Sequence, residues 1–299
     1  LQGPGLRAQE SNQRVLLTEY SRQRGPILVG SQAIASSTPT DDTLKYLRTY
    51  SDGKAYAPVT GFYSLIYGAT GLESKQNDIL SGNDSRFFVD RLQQLFANRQ
   101  PKGGAIRLTI DAAAQEAAYK ALRGRTGAVV ALDPRTGAIL ALVSSPSYDP
   151  NTLSSHDTQA ITSAYQKLNK NIDKPLLNRP LAMTLPPGSV FKLVTAAAAL
   201  ESGKYVATSA LPGPSSIALP QSSKRLGNWN GKACGANNRT TLRRALMTSC
   251  NTAFAWLGMQ LGEGALSEQA RKFGFDTQFT VPMTAATSHF PVCLDEAQV

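Results

Sequence analysis

The chain has 299 residues, and its 31 basic and 21 acidic side chains give a net charge of +10. Hydrophobic residues make up 41% of the sequence and charged residues 17%, as in a globular protein long enough for two domains. No run of Lys or Arg is longer than two, so the dispersed charge argues against nucleic-acid binding and favours an anionic membrane surface or a carboxylate-bearing polymer as partner.

The sequence also lacks the signatures of several other classes of protein. No stretch approaches the ~20 apolar residues of a membrane span, and no signal peptide is present. The chain starts at Leu1 in a polar segment, so we expect a processed form from which a preceding segment was removed. Its two histidines and three cysteines show no metal-ligand spacing, which argues against a metal enzyme, and no cofactor is expected.

The first hundred residues predict a smaller, mostly β module. Residues 11–20 form a plausible helix, and 24–29 predict a turn into a strand. Aromatic residues alternate with glycines between 56 and 73, which favours irregular β structure, and 85–96 has helical periodicity. Residues 100–104 predict a linker, so we place an N-terminal non-catalytic module at 1–104 and a second domain at 105–299.

The second domain begins with a strand, a helix and a hairpin. Asp111 ends the strand 106–111 and is placed to cap an Ala-rich helix at 112–122. Two apolar runs at 127–133 and 138–143 predict a hairpin of buried strands. Residues 151–180 are polar and predict irregular structure. A hairpin covered by apolar helices indicates an α/β (α+β) domain with a mostly antiparallel sheet.

The candidate catalytic residues follow Pro186-Pro187-Gly188, a segment that turns the backbone sharply before an apolar, Ala-rich stretch at 191–200. That stretch predicts a buried helix, so Ser189 opens it and shares a face with Lys192 one turn later. A desolvated lysine has a lowered pKa and can deprotonate a serine hydroxyl. Free N–H groups at a helix start can accept an oxyanion.

A second cluster, Ser249-x-Asn251, lies between two predicted helices, where a bend would let both side chains converge near Lys192. Each pattern alone has an ordinary alternative. Ser-x-x-Lys is common as an N-capping serine with a lysine that extends to solvent. Ser-x-Asn is common as a capping serine at a helix end.

Together these motifs resemble the class B penicillin-binding proteins, the monofunctional peptidoglycan transpeptidases, over nearly the whole chain. Pro187 to Lys192 is similar to the nucleophile motif of that family, and Ser249-Cys250-Asn251 to its second motif. Further similar segments are 12–14, 24–27, 56–58 and 70–73 in the N-terminal module, and 108–111, Gln115 and 127–143 in the transpeptidase domain. The resemblance implies a serine-β-lactamase-like transpeptidase domain, an antiparallel sheet flanked by helices, preceded by a dimerisation or pedestal-like module.

The resemblance also implies a role for each motif residue. Ser189 would attack a D-Ala-D-Ala stem peptide of peptidoglycan or a β-lactam, with Lys192 as its base. Ser249 would relay a proton to the leaving amine, and Asn251 would hold the substrate or Lys192. The implied location is the outer face of a bacterial cell membrane, through a removed N-terminal anchor, with cell-wall synthesis or division proteins as partners and no nucleic acid.

The chain departs from the family in its third motif, a Lys-Thr-Gly that would bind the substrate carboxylate. None follows Asn251, and Arg125-Thr126-Gly127 and Arg135-Thr136-Gly137 precede Ser189 and predict turns. Since the chain ends at Val299, we expect that the C-terminal part of the domain is missing. A catalytically idle scaffold of a cell-wall complex and a β-lactam sensor domain remain alternatives to the transpeptidase.

The cysteines allow one disulfide near the second motif. Cys234 and Cys250 could pair in an oxidising compartment and steady Ser249 and Asn251, which would leave Cys293 unpaired. Three buried free thiols are the alternative.

Overall fold

A computed structural model describes residues 19–87 and 102–291. Most of the predicted helices at 11–20 and 85–96, the start of the linker, and Cys293 lie outside the described residues. The described chain packs as two compact units: the residues up to Met183 together with Thr280–Ala285, and Thr184–Phe279 together with the residues from Ala286 onwards. The boundary predicted at 104/105 remains a sequence prediction.

The first unit contains ten strands and seven α-helices among the residues that the structure describes. The strands are β1 Ile27–Val29, β2 Gln32–Pro39, β3 Tyr46–Tyr50, β4 Tyr63–Ser64, β5 Gly68–Ala69, β6 Ile106–Leu108, β7 Gly127–Leu132, β8 Ile139–Ser145, and, after the second unit's first segment, Thr280–Val281 and Met283–Thr284. The helices are α1 Gly53–Thr60, α2 Gly71–Lys75, α3 Asn77–Leu80, α4 Ala112–Ala121, α5 Asn151–Ser154, α6 Thr158–Lys170 and α7 Arg179–Ala182, with a 3₁₀ turn at Ser85–Phe87.

Four strands form the largest sheet, in the order β3-β2-β1-β6. The first three pair antiparallel, and β6 joins the edge of β1 in parallel, with Ile27 opposite Ile106. Ile27 and Val29 are buried on β1 and Ile34 and Ala35 on β2, so this sheet carries much of the unit's apolar core.

A buried ion-pair cluster lies in the same unit. Glu73 on α2 is fully buried. One of its carboxylate oxygens accepts from Arg24 Nε at 2.6 Å, and the other accepts from Arg48 Nε at 2.7 Å. The Tyr50 hydroxyl donates to the second oxygen at 3.2 Å, and the Arg24 guanidinium stacks 4.2 Å above the Tyr63 ring. Because the guanidinium groups share one carboxylate in a dry interior, each depends on Glu73 for its charge balance.

Two segments predicted as irregular are helical. Residues 53–60 form α1 despite Pro58, and the helix ends at Gly61, whose φ is +68°. A Cβ on Gly61 would meet the Thr70 carbonyl oxygen at 2.2 Å, so only glycine allows this backbone approach. The α1 and α2 helices therefore add to the strands of the predicted β module.

The prediction of irregular structure for 151–180 is also wrong over most of that range, which contains α5, α6 and the start of α7, while 171–178 is irregular as predicted. The Asp157 carboxylate caps α6 by accepting from the backbone N–H groups of Gln159 and Ala160 at 2.9 and 3.0 Å. Apolar residues then recur at helical spacing on its inner face, with Ile161 fully buried and Ala164, Tyr165 and Leu168 packed against the core. The polar residues between them concealed this stripe in the sequence.

The predicted hairpin forms, but only one of its strands is buried. β7 pairs antiparallel with β8, with Val129 opposite Val143. β8 buries Ala141 to Val143, whereas on β7 alternate side chains face solvent, and Val130 is 46% exposed. The alternation on β7 is that of an antiparallel strand with one face toward solvent. Among the described residues no further strand pairs with this hairpin.

Gln115 lies on α4 and connects this helix to the hairpin. As predicted, Asp111 caps α4: its carboxylate accepts from Ala114 N–H at 2.8 Å. The fully buried Gln115 side chain accepts from Leu142 N–H at 2.8 Å and donates to the Leu142 and Ala55 carbonyls at 3.0 and 2.8 Å. This amide satisfies backbone groups of two elements at once.

The second unit is built around two packed helices. Its elements are a 3₁₀ turn at Gly188–Phe191, α8 Lys192–Glu201, β9 Ala210–Pro212, β10 Ser216–Ala218, β11 Arg225–Gly227, a 3₁₀ turn at Ala236–Asn238, β12 Arg239–Thr241, α9 Leu242–Met247 and α10 Asn251–Lys272, which is interrupted at Gly262. β9 pairs with β12, and β10 with β11. Apolar residues of α8 and α10 share one core through Ala199, Ala253 and Leu257.

The prediction of a wholly buried helix after Ser189 is wrong in part. α8 buries Val194, Ala196 and Ala199, but Leu193 and Leu200 are each about half exposed, at 50% and 49%. Among residues 19–87 and 102–291, no helix combines the length and apolarity that a bilayer span requires.

Candidate active site

Ser189 lies on the 3₁₀ turn that leads into α8. Gly188 has a φ of +56°, a left-handed conformation that glycine adopts without strain, and it turns the chain after the two prolines. Ser189 is exposed, as a nucleophile that must meet a substrate requires. The sequence predicted that Ser189 opens the α-helix itself, whereas the α-helix begins at Lys192.

Lys192 is half-buried and reaches all three other candidate residues. Its Nζ lies 3.2 Å from Ser189 Oγ, 2.9 Å from Ser249 Oγ and 2.6 Å from Asn251 Oδ1. It also donates to the Ser249 carbonyl at 2.8 Å. The structure therefore brings together the four side chains that the sequence singled out.

The second motif occupies the junction between two helices, as predicted. α9 ends at Met247 and α10 begins at Asn251, with Cys250 in an extended conformation at the N-cap. Ser249 has a φ of +52°, which is rare for a residue other than glycine and turns its side chain toward Lys192. The bend makes convergence possible, because residues two apart on a continuous helix face different directions.

The orientation of the Asn251 amide follows from its two partners. Oδ1 accepts from Lys192, and Nδ2 donates to the Gly227 carbonyl at 3.0 Å. A flipped amide would place its NH₂ group against the Lys192 amine, which is itself a donor, and its oxygen against the Gly227 carbonyl, which is an acceptor. The observed orientation is therefore the favourable one. The acceptor for Lys192 is thus held in place by β11.

Burial lowers the pKa of Lys192, since loss of water disfavours the charged ammonium. The four acceptors around Nζ are all neutral oxygens, and the Phe254 ring lies 6.0 Å away. With no carboxylate among these partners to raise its pKa, the amine is suited to act as a base.

The hydroxyls complete a triangle with the amine. Ser249 Oγ donates to Ser189 Oγ at 3.1 Å, and each hydroxyl is within hydrogen-bond distance of Lys192 Nζ. A proton can therefore pass from Ser189 to Lys192 directly, or between them through Ser249. This arrangement can activate a serine for attack on a carbonyl carbon.

Sequence reasoning missed the loop that supports Asn251. Asn228, next to Gly227, donates to the Pro214 and Lys232 carbonyls at 2.9 and 2.8 Å and accepts from the Thr252 N–H at 3.2 Å. These bonds tie β11 to the start of α10. A backbone carbonyl and a buried asparagine leave no side-chain motif that the sequence could reveal.

A disulfide joins Cys234 and Cys250, with their Cα atoms 6.0 Å apart. Cys250 lies between Ser249 and Asn251 and is buried, so the cross-link attaches the bend to the segment before β12. It is the pairing that the sequence suggested.

Arg135-Thr136-Gly137 lies at a turn, as predicted, whereas Arg125-Thr126-Gly127 leads from the turn after α4 into β7. Gly137 has a φ of +73° and donates to the Asp133 carbonyl in the β7–β8 connection, and Gly127 begins β7. In the part of the chain that the structure describes, no three His, Cys, Asp or Glu side chains are grouped as metal ligands.

Two family models match the chain. Residues 24–106 match the penicillin binding protein A dimerisation domain, and residues 127–288 match the penicillin binding protein transpeptidase domain. The second match includes the four clustered side chains.

Curated relatives and solved structures agree with these matches. The chain is 46% identical over 299 residues to the peptidoglycan D,D-transpeptidase PbpA of Mycolicibacterium smegmatis, covering 98% of this chain and 61% of the relative. It is 49% identical over 278 residues to PbpA of Mycobacterium tuberculosis, covering 91% and 56%. The imipenem acyl-enzyme complex of penicillin-binding protein A from M. tuberculosis superposes with a TM-score of 0.90 at 46% identity, covering 94% of this chain and 66% of that one. This chain therefore spans roughly three fifths of the length of these relatives.

Proposed function

Since the chain belongs to the penicillin-binding protein transpeptidase family, we propose that it is a serine D,D-transpeptidase that cross-links peptidoglycan stem peptides. The observation that carries this proposal is the position of Lys192 Nζ, within 3.2 Å of Ser189 Oγ and 2.9 Å of Ser249 Oγ. An amine with a lowered pKa beside two hydroxyls is the arrangement that an acyl-enzyme mechanism requires.

In the proposed acylation, Ser189 Oγ attacks the carbonyl carbon of the penultimate D-Ala and its proton passes to Lys192 Nζ. The tetrahedral intermediate carries its negative charge on the former carbonyl oxygen, where the Ser189 backbone N–H at the start of the helical segment can stabilise it. The bond to the terminal D-Ala nitrogen then breaks. Lys192 returns the proton to that nitrogen through Ser249 Oγ, which is within hydrogen-bond distance of both the amine and the reacting serine.

In the proposed transfer step, an amine of a neighbouring stem peptide attacks the ester carbon of the acyl-enzyme. The amine loses a proton to the Ser249–Lys192 pair, and Ser189 Oγ recovers one as the ester bond breaks. Asn251 positions Lys192 through its Oδ1 and stays fixed by the Gly227 carbonyl. A β-lactam would react at the acylation step instead, because its strained amide is attacked by Ser189 in place of the D-Ala-D-Ala bond.

The proposed organisation follows the two family matches. Residues 1–104 would form the non-catalytic module and 105–299 the transpeptidase domain, which the matches at 24–106 and 127–288 support. No residue is assigned to the substrate carboxylate, because no Lys-Thr-Gly follows Asn251 in this sequence.

We place the domain on the outer face of a bacterial cell membrane, where its peptidoglycan substrate lies and where cell-wall synthesis or division proteins would be its partners. The Cys234–Cys250 disulfide supports this location, because such bonds persist in oxidising compartments. A membrane anchor would hold the protein there.

The test is covalent labelling followed by turnover. A fluorescent penicillin should label the native chain and not Ser189→Ala, with peptide mass spectrometry locating the adduct on Ser189. A synthetic D-Ala-D-Ala stem peptide with an acceptor amine should then yield D-Ala and the cross-linked dimer. Absence of label would favour an idle scaffold, and label without peptide turnover would favour a β-lactam sensor; either result would overturn the transpeptidase proposal.

A further inference from the structure

Asn228 turns inward from an exposed loop next to the second motif. It is buried, at 9% exposure, whereas its neighbours Gly227 and Trp229 are exposed. Burying a side-chain amide costs free energy unless its polar atoms are hydrogen-bonded, so the partners of Asn228 show what it holds. The proposed acylation and transfer steps leave this residue without a role.

The Asn228 amide is bonded through both of its polar atoms. Nδ2 donates to the Pro214 and Lys232 carbonyls at 2.9 and 2.8 Å, and Oδ1 accepts from the Thr252 N–H at 3.2 Å. The buried Thr252 hydroxyl donates to the same Pro214 carbonyl at 2.8 Å. These partners lie on three separate segments of the chain, so a displacement of the Asn228 side chain would break its bonds to all of them.

The peptide group before Asn228 carries the acceptor for Asn251. The Gly227 carbonyl and the Asn228 N–H belong to one planar unit. That carbonyl accepts from Asn251 Nδ2 at 3.0 Å, and that N–H donates to the Ser215 carbonyl at 3.2 Å. Because the side chain and the N–H of Asn228 are both anchored, the direction of the Gly227 carbonyl is fixed with them.

The Asn251 amide in turn decides where the lone pair of Lys192 points. A neutral amine has two N–H bonds and one lone pair. The two acceptors nearest to Nζ are Asn251 Oδ1 at 2.6 Å and the Ser249 carbonyl at 2.8 Å. When the N–H groups donate to these two oxygens, the lone pair is left for the hydroxyls of Ser189 and Ser249, at 3.2 and 2.9 Å, one of which must lose its proton to the amine.

We propose that Asn228 is a positioning residue for acylation, which acts on Lys192 through Asn251. It fixes the Gly227 carbonyl, this carbonyl fixes the Asn251 amide, and the amide directs the lone pair of the base. The proposal rests on the proposed function, in which Lys192 deprotonates Ser189. The alternative is a purely structural role, in which pairing with β10 alone holds β11 and Asn228 only stabilises its loop.

A double-mutant cycle separates the two roles. Asn228→Ser should slow acylation by a fluorescent penicillin by about tenfold in the native chain. In the Asn251→Ala background the same change should alter the rate by less than about twofold, because the amide through which it acts is absent. A structural role would slow acylation by the same factor in both backgrounds. Asn169→Ser, at an exposed position on α6, is the control and should acylate like the native chain.

The pH profile gives a second readout. Asn228→Ser should keep the rise of its acylation rate with pH, because the Lys192 amine is still present. Melting temperature reports whether the variant is folded. Should it not fold, Asn228→Asp replaces it in the cycle, since aspartate keeps the shape and the acceptor for the Thr252 N–H and removes only the donors. Its rates are compared at the high-pH plateau, where the added charge no longer changes the fraction of deprotonated Lys192.

A third readout does not depend on acylation. The side-chain amide signal of Asn251 in an NMR spectrum is the one that Asn251→Ala lacks. Its hydrogen exchange should be at least about fivefold faster in Asn228→Ser than in the native chain or in Asn169→Ser, because the bond to the Gly227 carbonyl is loosened.

Equal slowing in both backgrounds, an unchanged acylation rate in Asn228→Ser, or unchanged exchange of the Asn251 amide would overturn the proposal. A native chain that penicillin never labels would refute the proposed function instead. The amide exchange would then still decide whether Asn228 holds Asn251 in place.

Discussion

Replacement of Lys192 by methionine tests the proposed base most directly. Methionine keeps an unbranched, largely apolar stem in the half-buried position and removes only the amine that contacts Ser189, Ser249 and Asn251. The variant therefore deletes a proton acceptor with little change in volume. We expect it to fold and to acylate very slowly.

The magnitude follows from the geometry. Nζ is 3.2 Å from the nucleophilic oxygen, and general base catalysis by a positioned group contributes roughly 100- to 10,000-fold to a rate. Acylation should fall by that amount. Stability should change little: the lost hydrogen bonds contribute roughly 1 kcal/mol each, and relief from burying an ionisable amine offsets them. We expect the melting temperature to move by less than about 5 °C.

The assay is the second-order rate of acylation by a fluorescent penicillin, followed by gel or stopped flow between pH 6 and pH 10, a range of ~4 units chosen to include the titration of a lysine with a lowered pKa. In the native chain the rate should rise with pH as the amine loses its proton and level off below the usual pKa of lysine, because burial lowers the pKa of Lys192. The methionine variant should be slow and lack this rise. Lys204→Met, an exposed lysine beyond the end of α8, is the matched control and should acylate normally.

Three results would refute the reasoning. A Lys192→Met variant that acylates within about tenfold of the native rate would exclude this amine as the main base. A variant that keeps the native pH profile at reduced rate would show that another group titrates. Loss of activity together with a collapsed melting temperature would assign Lys192 a structural role instead.

Three further predictions concern the surroundings of the site and the first unit. Cys234→Ala should lower the free energy of unfolding by about 3 kcal/mol in the chain-entropy model and slow acylation, because Cys250 lies in the second motif; unchanged urea midpoint and rate would contradict this. Glu73→Gln should lower the free energy of unfolding by about 3–5 kcal/mol, because it leaves two buried guanidinium groups without their carboxylate. The control Glu116→Gln, at an exposed ion pair, should unfold like the native chain in the same urea titration. Equal losses of stability in the two variants would count against the buried cluster. The free energy of unfolding of Ser249→Gly should exceed that of Ser249→Ala by roughly 1 kcal/mol, because φ is +52° at this position. Both variants should lose acylation. A more stable alanine variant would disprove backbone strain at the bend.

The candidate site was more predictable than the units around it. Ser189 and Lys192 are one helical turn apart in sequence, so their proximity follows from local geometry alone. The convergence of Ser249 and Asn251 required only that a junction interrupt two helices, which the residues on either side indicated. The contact between the two motifs is different, since it depends on α8 packing against α10. The bend only made convergence near Lys192 possible, and the family resemblance supported it.

Elsewhere the sequence misled for physical reasons. Polar residues on the outer face of α6 outnumber its apolar stripe, so a helix of 13 residues was predicted as irregular. Aromatic residues alternating with glycines favoured irregular β structure at 56–73, yet Gly53–Thr60 forms α1, because packing of Tyr56 and Val59 outweighs the hydrogen-bond donor that Pro58 lacks. β7 is as apolar as β8, but periodicity cannot say which strand of a hairpin faces solvent.

The neutral surroundings of Lys192 reconcile two opposing requirements of a catalytic base. Before attack the amine must lack a proton, which half-burial favours by removing water. After attack it must hold the serine proton, and the Ser249 carbonyl and Asn251 Oδ1, at 2.8 and 2.6 Å, then accept from the ammonium. A carboxylate in place of either oxygen would stabilise the ammonium before attack as well and raise the pKa of the base. Carbonyl and amide oxygens, held by the Ser249 bend and by Gly227, accept from the ammonium without the negative charge that would raise the pKa of Lys192.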